Sequence, residues 1–265
     1  MNVTSNRLRQ AVAERATLLG ALVTMPGWVV PRLLAQAGYG MLLFDWQHEP
    51  FTEASLAESI ASGVSADCVC LVRTGVERWD QIGAVLDYGA HGVVVPMVRS
   101  RSDAENAVRA CHYPSRGSRS VGGNRNHLLH GRDYFSAADD HVICAIQIEH
   151  IDAVAAIDEI LSVSGIDAVV PGPVDLTRSM GRDADYRVMR EPPRETIEGL
   201  ERVRLRCLEA GVTYIPACES RTDAEVARAN GNRIVLSGSD VSLLSRAARE
   251  QAKSMIGILD ARPAA

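Results

Sequence analysis

Residues 142–181 read VICAIQIEHIDAVAAIDEILSVSGIDAVVPGPVDLTRSMG, and this stretch decides the fold. An apolar run of strand length, 142–148, ends on a carboxylate, Glu149. Side chains alternate faces along a strand, so Gln147 and Glu149 share one face and Ile146 and Ile148 the other. A helical pattern follows over about 151–161, stopped by Ser164-Gly165. A second apolar run, 166–170, breaks at Pro171-Gly172-Pro173 and leads to Asp175. This strand, helix, strand unit carries an acidic side chain at or just past the C-terminal end of each strand. Ligands bind at that end of parallel α/β sheets. Two carboxylates there, beside an amide and a Gly-Pro turn with free N–H groups, suit a hard divalent cation bound through oxygen. The plainer alternative is that each carboxylate caps the next helix or pairs with an arginine.

Working toward the N-terminus, helical patterns cover about 3–15, 29–37, 53–62, 79–88 and 102–111, and apolar runs cover 17–24, 41–44, 68–72 and 93–97. Residues 113–140 then break the rhythm. They are rich in Gly, Ser, Arg, Asn and His with little apolar periodicity, and read as a long loop, either functional or disordered. Toward the C-terminus come a short helix at 175–180, a Pro192-Pro193 step opening a helix over 195–210, a strand at 212–216, a helix at 221–229, a strand at 234–236 and a last helix at 241–259. Eight strands, each followed by a helix, in 265 residues predict a single-domain (β/α)₈ TIM barrel spanning 1–265. An open doubly wound sheet is the competitor, but no G-x-G-x-x-G follows the first strand.

Composition narrows the functions. The net charge of −5 advertises no nucleic-acid or anionic-membrane surface, and no apolar run approaches spanning length. The N-terminal residues show no secretory pattern, so a cytoplasmic protein is expected. Six cysteines (Cys68, Cys70, Cys111, Cys144, Cys207 and Cys218) lack C-x-x-C spacing and read as small buried thiols. Lys253, in the last helix, is the only lysine, so the chain offers no rim lysine for Schiff-base chemistry.

A barrel gathers all C-terminal strand ends on one rim. That rim collects Asp45 and His48, Arg73, Gln147 and Glu149, and Asp175. Singly, each has a dull reading: Arg73 as an ion-pair partner, His48 as a loop histidine. Together they can bind a cation, read a carboxylate bidentately and move a proton.

Seven segments then carry a resemblance: FDWQH (44–48), LVR (71–73), LDYGAHGVVVPMV (86–98), YPSRGSRSVGG (113–123), QIE (147–149), GPVDL (172–176) and GSDVSLL (238–244). In this order they resemble the metal-dependent (class II) pyruvate aldolases, which include 4-hydroxy-2-oxoheptanedioate aldolase and the 2-keto-3-deoxy sugar-acid aldolases, within a citrate-lyase-β-like superfamily. The resemblance covers almost the whole chain, and QIE followed by GP-x-D is its most specific part. It implies a divalent ion (Mg²⁺, Mn²⁺ or Co²⁺) on Glu149 and Asp175, and no organic cofactor. It also implies pyruvate contacts from Arg73, Gln147 and the turn Gly172, Pro173, Val174 and Asp175, with proton transfer by His48 and Asp45. Its substrates would be a 2-oxo acid and an aldehyde, and its assembly a homo-oligomer, trimer or hexamer, exchanging the C-terminal helix between subunits. Oxaloacetate decarboxylation or citrate-lyase-type cleavage would use the same enolate, and a non-catalytic 2-oxo-acid-binding barrel is the remaining alternative.

The chain departs from the family pattern at Gln47, where an acidic residue is usual, and at Ser120, where glycine is usual. Its 116–135 segment is rich in Arg, Asn and His (Arg125, His127, His130 and Arg132); it either favours an acidic or polyhydroxylated aldehyde or is a solvated loop.

Overall fold

The computed structural model describes residues 6–184 and 192–260; the first residues of the expected 3–15 helix lie outside them. The elements run α1 (Arg7–Glu14), β1 (Leu18–Val23), α2 (Val29–Gln36), β2 (Met41–Asp45), α3 (Glu53–Ser65), β3 (Val69–Arg73), α4 (Trp79–Asp87), β4 (Gly92–Val95) and α5 (Arg101–Cys111). Two short helices, α6 (Asn124–His130) and α7 (Tyr134–His141), precede β5 (Ile143–Ile148). Next come α8 (Ile151–Ala155), α9 (Ile157–Leu161), β6 (Ala168–Pro171) and α10 (Pro173–Ser179). The chain finishes with α11 (Arg194–Ala210), β7 (Thr213–Tyr214), α12 (Arg221–Ala229), β8 (Ile234–Ser239) and α13 (Asp240–Leu259).

All pairings are parallel, consecutive strands are neighbours from β1 to β7, and β8 lies against β1. The outcome is the expected TIM barrel, closed by a single bridge between Ala217 and Leu236. Strand side chains divide by parity. Met41, Leu43, Val69, Leu71, Val94, Ile143 and Ala145 fill the barrel interior, while Leu42, Phe44, Cys70, Val72, Val93, Ile146 and Ile148 pack under the helices. Each such aliphatic side chain contributes about 1.5–3 kcal/mol by leaving water. All six cysteines are free and buried, as expected. No helix among the described residues is long and apolar enough to cross a membrane.

Three local expectations are corrected. The 113–140 segment is not one loop, because α6 and α7 form within it. The inward face of α6 is Asn126 and His130, polar residues four apart, which apolar periodicity cannot reveal. The expected helix over 151–161 breaks at Ala156, so that α8 packs on α11 while α9 contacts both α11 and α5. The seventh strand is two residues, not five. Leu236 donates to the carbonyl of Pro216, and Cys218 donates to that of Leu236. The next rung would need an N–H from residue 216, and proline has none.

Candidate active site

Continuing the inward parity of each strand by one step changes its chemistry from apolar to polar. Above Met41 and Leu43 stands Asp45; above Val69 and Leu71 stands Arg73; above Ile143 and Ala145 stand Gln147 and then Glu149. Asp45 and Arg73 face each other in the β2–β3 register. They form a two-pronged pair, with Nε of Arg73 3.0 Å from Oδ1 of Asp45 and Nη2 2.7 Å from Oδ2. The pair is largely withdrawn from solvent, so it is a fixed element of the rim. Nη1 of Arg73 lies 3.5 Å from Oε1 of Gln147, a long contact that leaves this donor available.

Glu149 is 2% exposed, one residue past β5. Its Oε1 accepts the backbone N–H of Met97 at 2.8 Å. Met97 has φ 54°, a left-handed conformation that non-glycine residues adopt at a cost of about 1–3 kcal/mol and that here aims its N–H at the carboxylate. Burial pushes the Glu149 carboxyl up to about 7; Met97 opposes this, Asp175 adds to it, and Arg73 and Arg99 oppose it. Gly172, between β6 and α10, admits this arrangement. A Cβ there would strike Cβ of Glu149 and stand 2.5 Å from its Oε2 and 3.0 Å from Nε2 of Gln147.

Asp175 opens α10 in its first turn and is exposed. The N–H of Gly172 is spent on the carbonyl of Ile148, and Pro173 has none. Leu176 makes the first intrahelical bond, back to Gly172, so Val174 and Asp175 keep the two free donors of the turn. The expected four-residue turn therefore offers two N–H groups. His48 stands exposed on the turn after β2. Asp45 meets it through the backbone: Oδ1 accepts the N–H of Gln47 at 3.2 Å and of His48 at 3.4 Å. The carboxylate is committed to Arg73 first, not to the imidazole.

A divalent cation fits this donor set. Glu149 is a buried carboxylate with a second carboxylate, Asp175, raising its proton affinity, and Arg73, the arginine that acts on it most, is already paired with Asp45. A hard cation satisfies such a pair, with water and ligand oxygens completing its shell. Among the described residues no three His, Cys, Asp or Glu side chains gather as a metal site.

The Arg- and His-rich 116–135 segment begins and ends away from this rim. Arg116 pairs with Asp140, and Arg119 with Asp87. Arg125 bonds the carbonyl of Ala57, and His130 that of Gly89, ahead of β4. These contacts hold the segment to α3, α4 and α7. Two rim participants were not anticipated, Met97 and Arg99. Nothing in a sequence announces a left-handed methionine, and Arg99 gave only its place after VPMV.

The family model described as "HpcH/HpaI aldolase/citrate lyase" matches residues 31–247. The chain belongs to the HpcH/HpaI aldolase/citrate lyase family. A hydroxypyruvate/pyruvate aldolase of Rhizorhabdus wittichii is 34% identical over 92% of this chain and 96% of its own. A 4-hydroxy-2-oxovalerate aldolase of Rhodococcus jostii is 36% identical over 66% of this chain and 70% of its own. Among solved structures, an HpcH/HpaI aldolase from Desulfitobacterium hafniense superposes with a TM-score of 0.84 at 25% identity, covering 94% of this chain and 96% of that one. Membership of the HpcH/HpaI family makes the chain one of a family of carbon–carbon lyases.

Proposed function

We propose that this chain is a divalent-metal-dependent aldolase that reversibly cleaves a 4-hydroxy-2-oxo acid to pyruvate and an aldehyde through the enolate of pyruvate. The observation that carries the reading is Glu149, a carboxylate buried at the strand ends, under the influence of Asp175 and Arg73. The names of the relatives support the reaction class.

Glu149 and Asp175 hold the ion, Mg²⁺, Mn²⁺ or Co²⁺. When bound, it supplies electrostatic stabilisation for a 2-oxo oxygen on which negative charge develops. Arg73, oriented by Asp45, donates Nη1 to that same oxygen, and Gln147 lines the pocket beside it. The N–H groups of Val174 and Asp175 receive the pyruvate carboxylate, with Gly172 and Pro173 shaping the turn. The His48 imidazole takes the methyl proton by way of water. The resulting enolate carbon attacks the aldehyde carbon, and His48 returns the proton to the new hydroxyl oxygen. General-base help contributes about 10²–10⁴-fold. Asp45 serves this step by fixing the turn that carries His48.

The reading extends to assembly and place. The apolar face of α13 (Leu244, Ile256, Ile258 and Leu259 are each more than half exposed) supports a homo-oligomer, trimer or hexamer, built on exchange of this helix. Six free cysteines support a reducing, cytoplasmic setting.

The test is proton exchange. Pyruvate in D₂O with Mn²⁺ should lose its methyl proton signal; EDTA should stop the loss, and Glu149→Ala should slow it by about 10²–10³-fold. Metal binding without exchange would overturn the enolate reading in favour of a binding module. Carbon dioxide released from oxaloacetate faster than any hydroxy-oxo acid is cleaved would favour the decarboxylase.

A further inference from the structure

A cavity lies where β7 and β8 begin, at the opposite end of the barrel from Glu149. Its volume is ≈ 600 Å³, large enough for a small molecule, and it is half open to solvent. Three arginines line it: Arg15 from the end of α1, Arg204 from α11 and Arg233 just before β8. No lining residue is acidic. Arg204 is paired with Glu201, at 2.6 Å and 2.8 Å. Arg15 and Arg233 have no ion-pair partner among the described residues. The rest of the wall includes apolar surface from Val12, Leu208 and Val212.

A plainer explanation for the arginines is the helix dipole. α1, α11 and α12 all end here, and basic side chains complement helix C-termini. That accounts for Arg15, which is itself the C-cap of α1. It does not account for Arg233, which follows the α12 cap by three residues and lines the same half-open hollow. In a chain of net charge −5, three arginines line this one hollow, with one carboxylate beside them.

We propose that this cavity is a second ligand site, for a small organic carboxylate. Its anionic head lies between Arg15 and Arg233, and its apolar body lies along Val12, Leu208 and Val212. A guanidinium fork reads a carboxylate through paired N–H donors, and burying the short apolar tail adds the remainder. The partial negative charge of the three helix ends offsets part of the arginine charge, which favours a monoanion over a dianion. The site is independent of the metal and of the rim residues.

Calorimetric titration of the full chain in EDTA, at constant ionic strength made up with chloride, tests this with butyrate and inorganic phosphate as probes. Butyrate should bind saturably. Arg15→Gln/Arg233→Gln, a pair of exposed residues outside the catalytic set, should weaken it by about tenfold or more, since each hydrogen bond to a charged group is worth that much. Glu149→Ala should bind butyrate as the parent does. The proposal is overturned if butyrate fails to saturate, if phosphate binds and butyrate does not, or if the double variant, folded by circular dichroism, binds unchanged. Loss of binding in Glu149→Ala alone would place the ligand at the rim and overturn it equally. None of these outcomes depends on whether the rim performs aldol chemistry.

Discussion

Asp45 shows how one residue's role is settled by its neighbours. Its type and position at a strand end allow it to orient a histidine or an arginine, and only the β2–β3 register puts Arg73 opposite it. Asp45→Asn should release the guanidinium and slow metal-dependent exchange of pyruvate by about tenfold or more, since a positioned transition-state donor is worth about 10²–10³. Exchange at the parent rate, followed by proton NMR, would show that the pair does not position Arg73. Gly172 poses the complementary question. A methyl group there must push Glu149 and Gln147 aside, at a cost of about 1–3 kcal/mol for overpacking. Gly172→Ala should therefore unfold at a slightly lower temperature and lose exchange nearly as completely as Glu149→Ala. An active Gly172→Ala would mean that the close approach is not needed for catalysis.

Elements succeed or fail on what they bury. α6 buries Asn126 and His130, and His130 stacks edge-on against His91, with ring centres 5.0 Å apart. Nδ1 of His91 accepts the N–H of Cys70 at 3.0 Å. Burial depresses His91 from 6.5 to about 3, and burial likewise lowers His130, with the Gly89 bond opposing. Above pH 6.5 both folded and unfolded chains leave His91 neutral, so it adds no pH dependence. Between 6.5 and 3 the unfolded chain binds a proton that the folded chain refuses, so stability falls as pH falls. The slope is at most about 1.4 kcal/mol per pH unit for this group. His91→Gln, compared with the parent by urea unfolding at pH 7.5 and 5, should show a smaller loss on acidification. An identical loss in both would remove His91 as the cause.

At the scale of the molecule, α13 stands out because its body has little to rest on. It touches β8 and β1 at its start and then runs on with exposed apolar residues. Its first residue, Asp240, is buried and accepts the N–H and hydroxyl of Thr24 and the N–H of Met25, so the helix is anchored at the rim end of β1. α2 presents Trp28, Val29 and Leu33 to solvent as well. Surfaces of this kind mark association. Sedimentation should find the parent chain as an oligomer, and Leu244→Asp/Ile256→Asp as a smaller species. A monomeric parent would refute helix exchange.

The eight-fold alternation of strand and helix and the inward parity that brings Gln147 and Glu149 onto one face were legible in the chain. They depend on residue type and on periods of two and 3.6, which are local properties. The partner of Asp45, the loss of the Gly172 donor to Ile148, the Met97 N–H on Glu149 and the polar docking face of α6 were not. Each is a contact between residues far apart in sequence or a backbone angle imposed by such contacts. Closing the barrel decides these, because only then do separate strand ends share one small volume in which charges and donors must be matched.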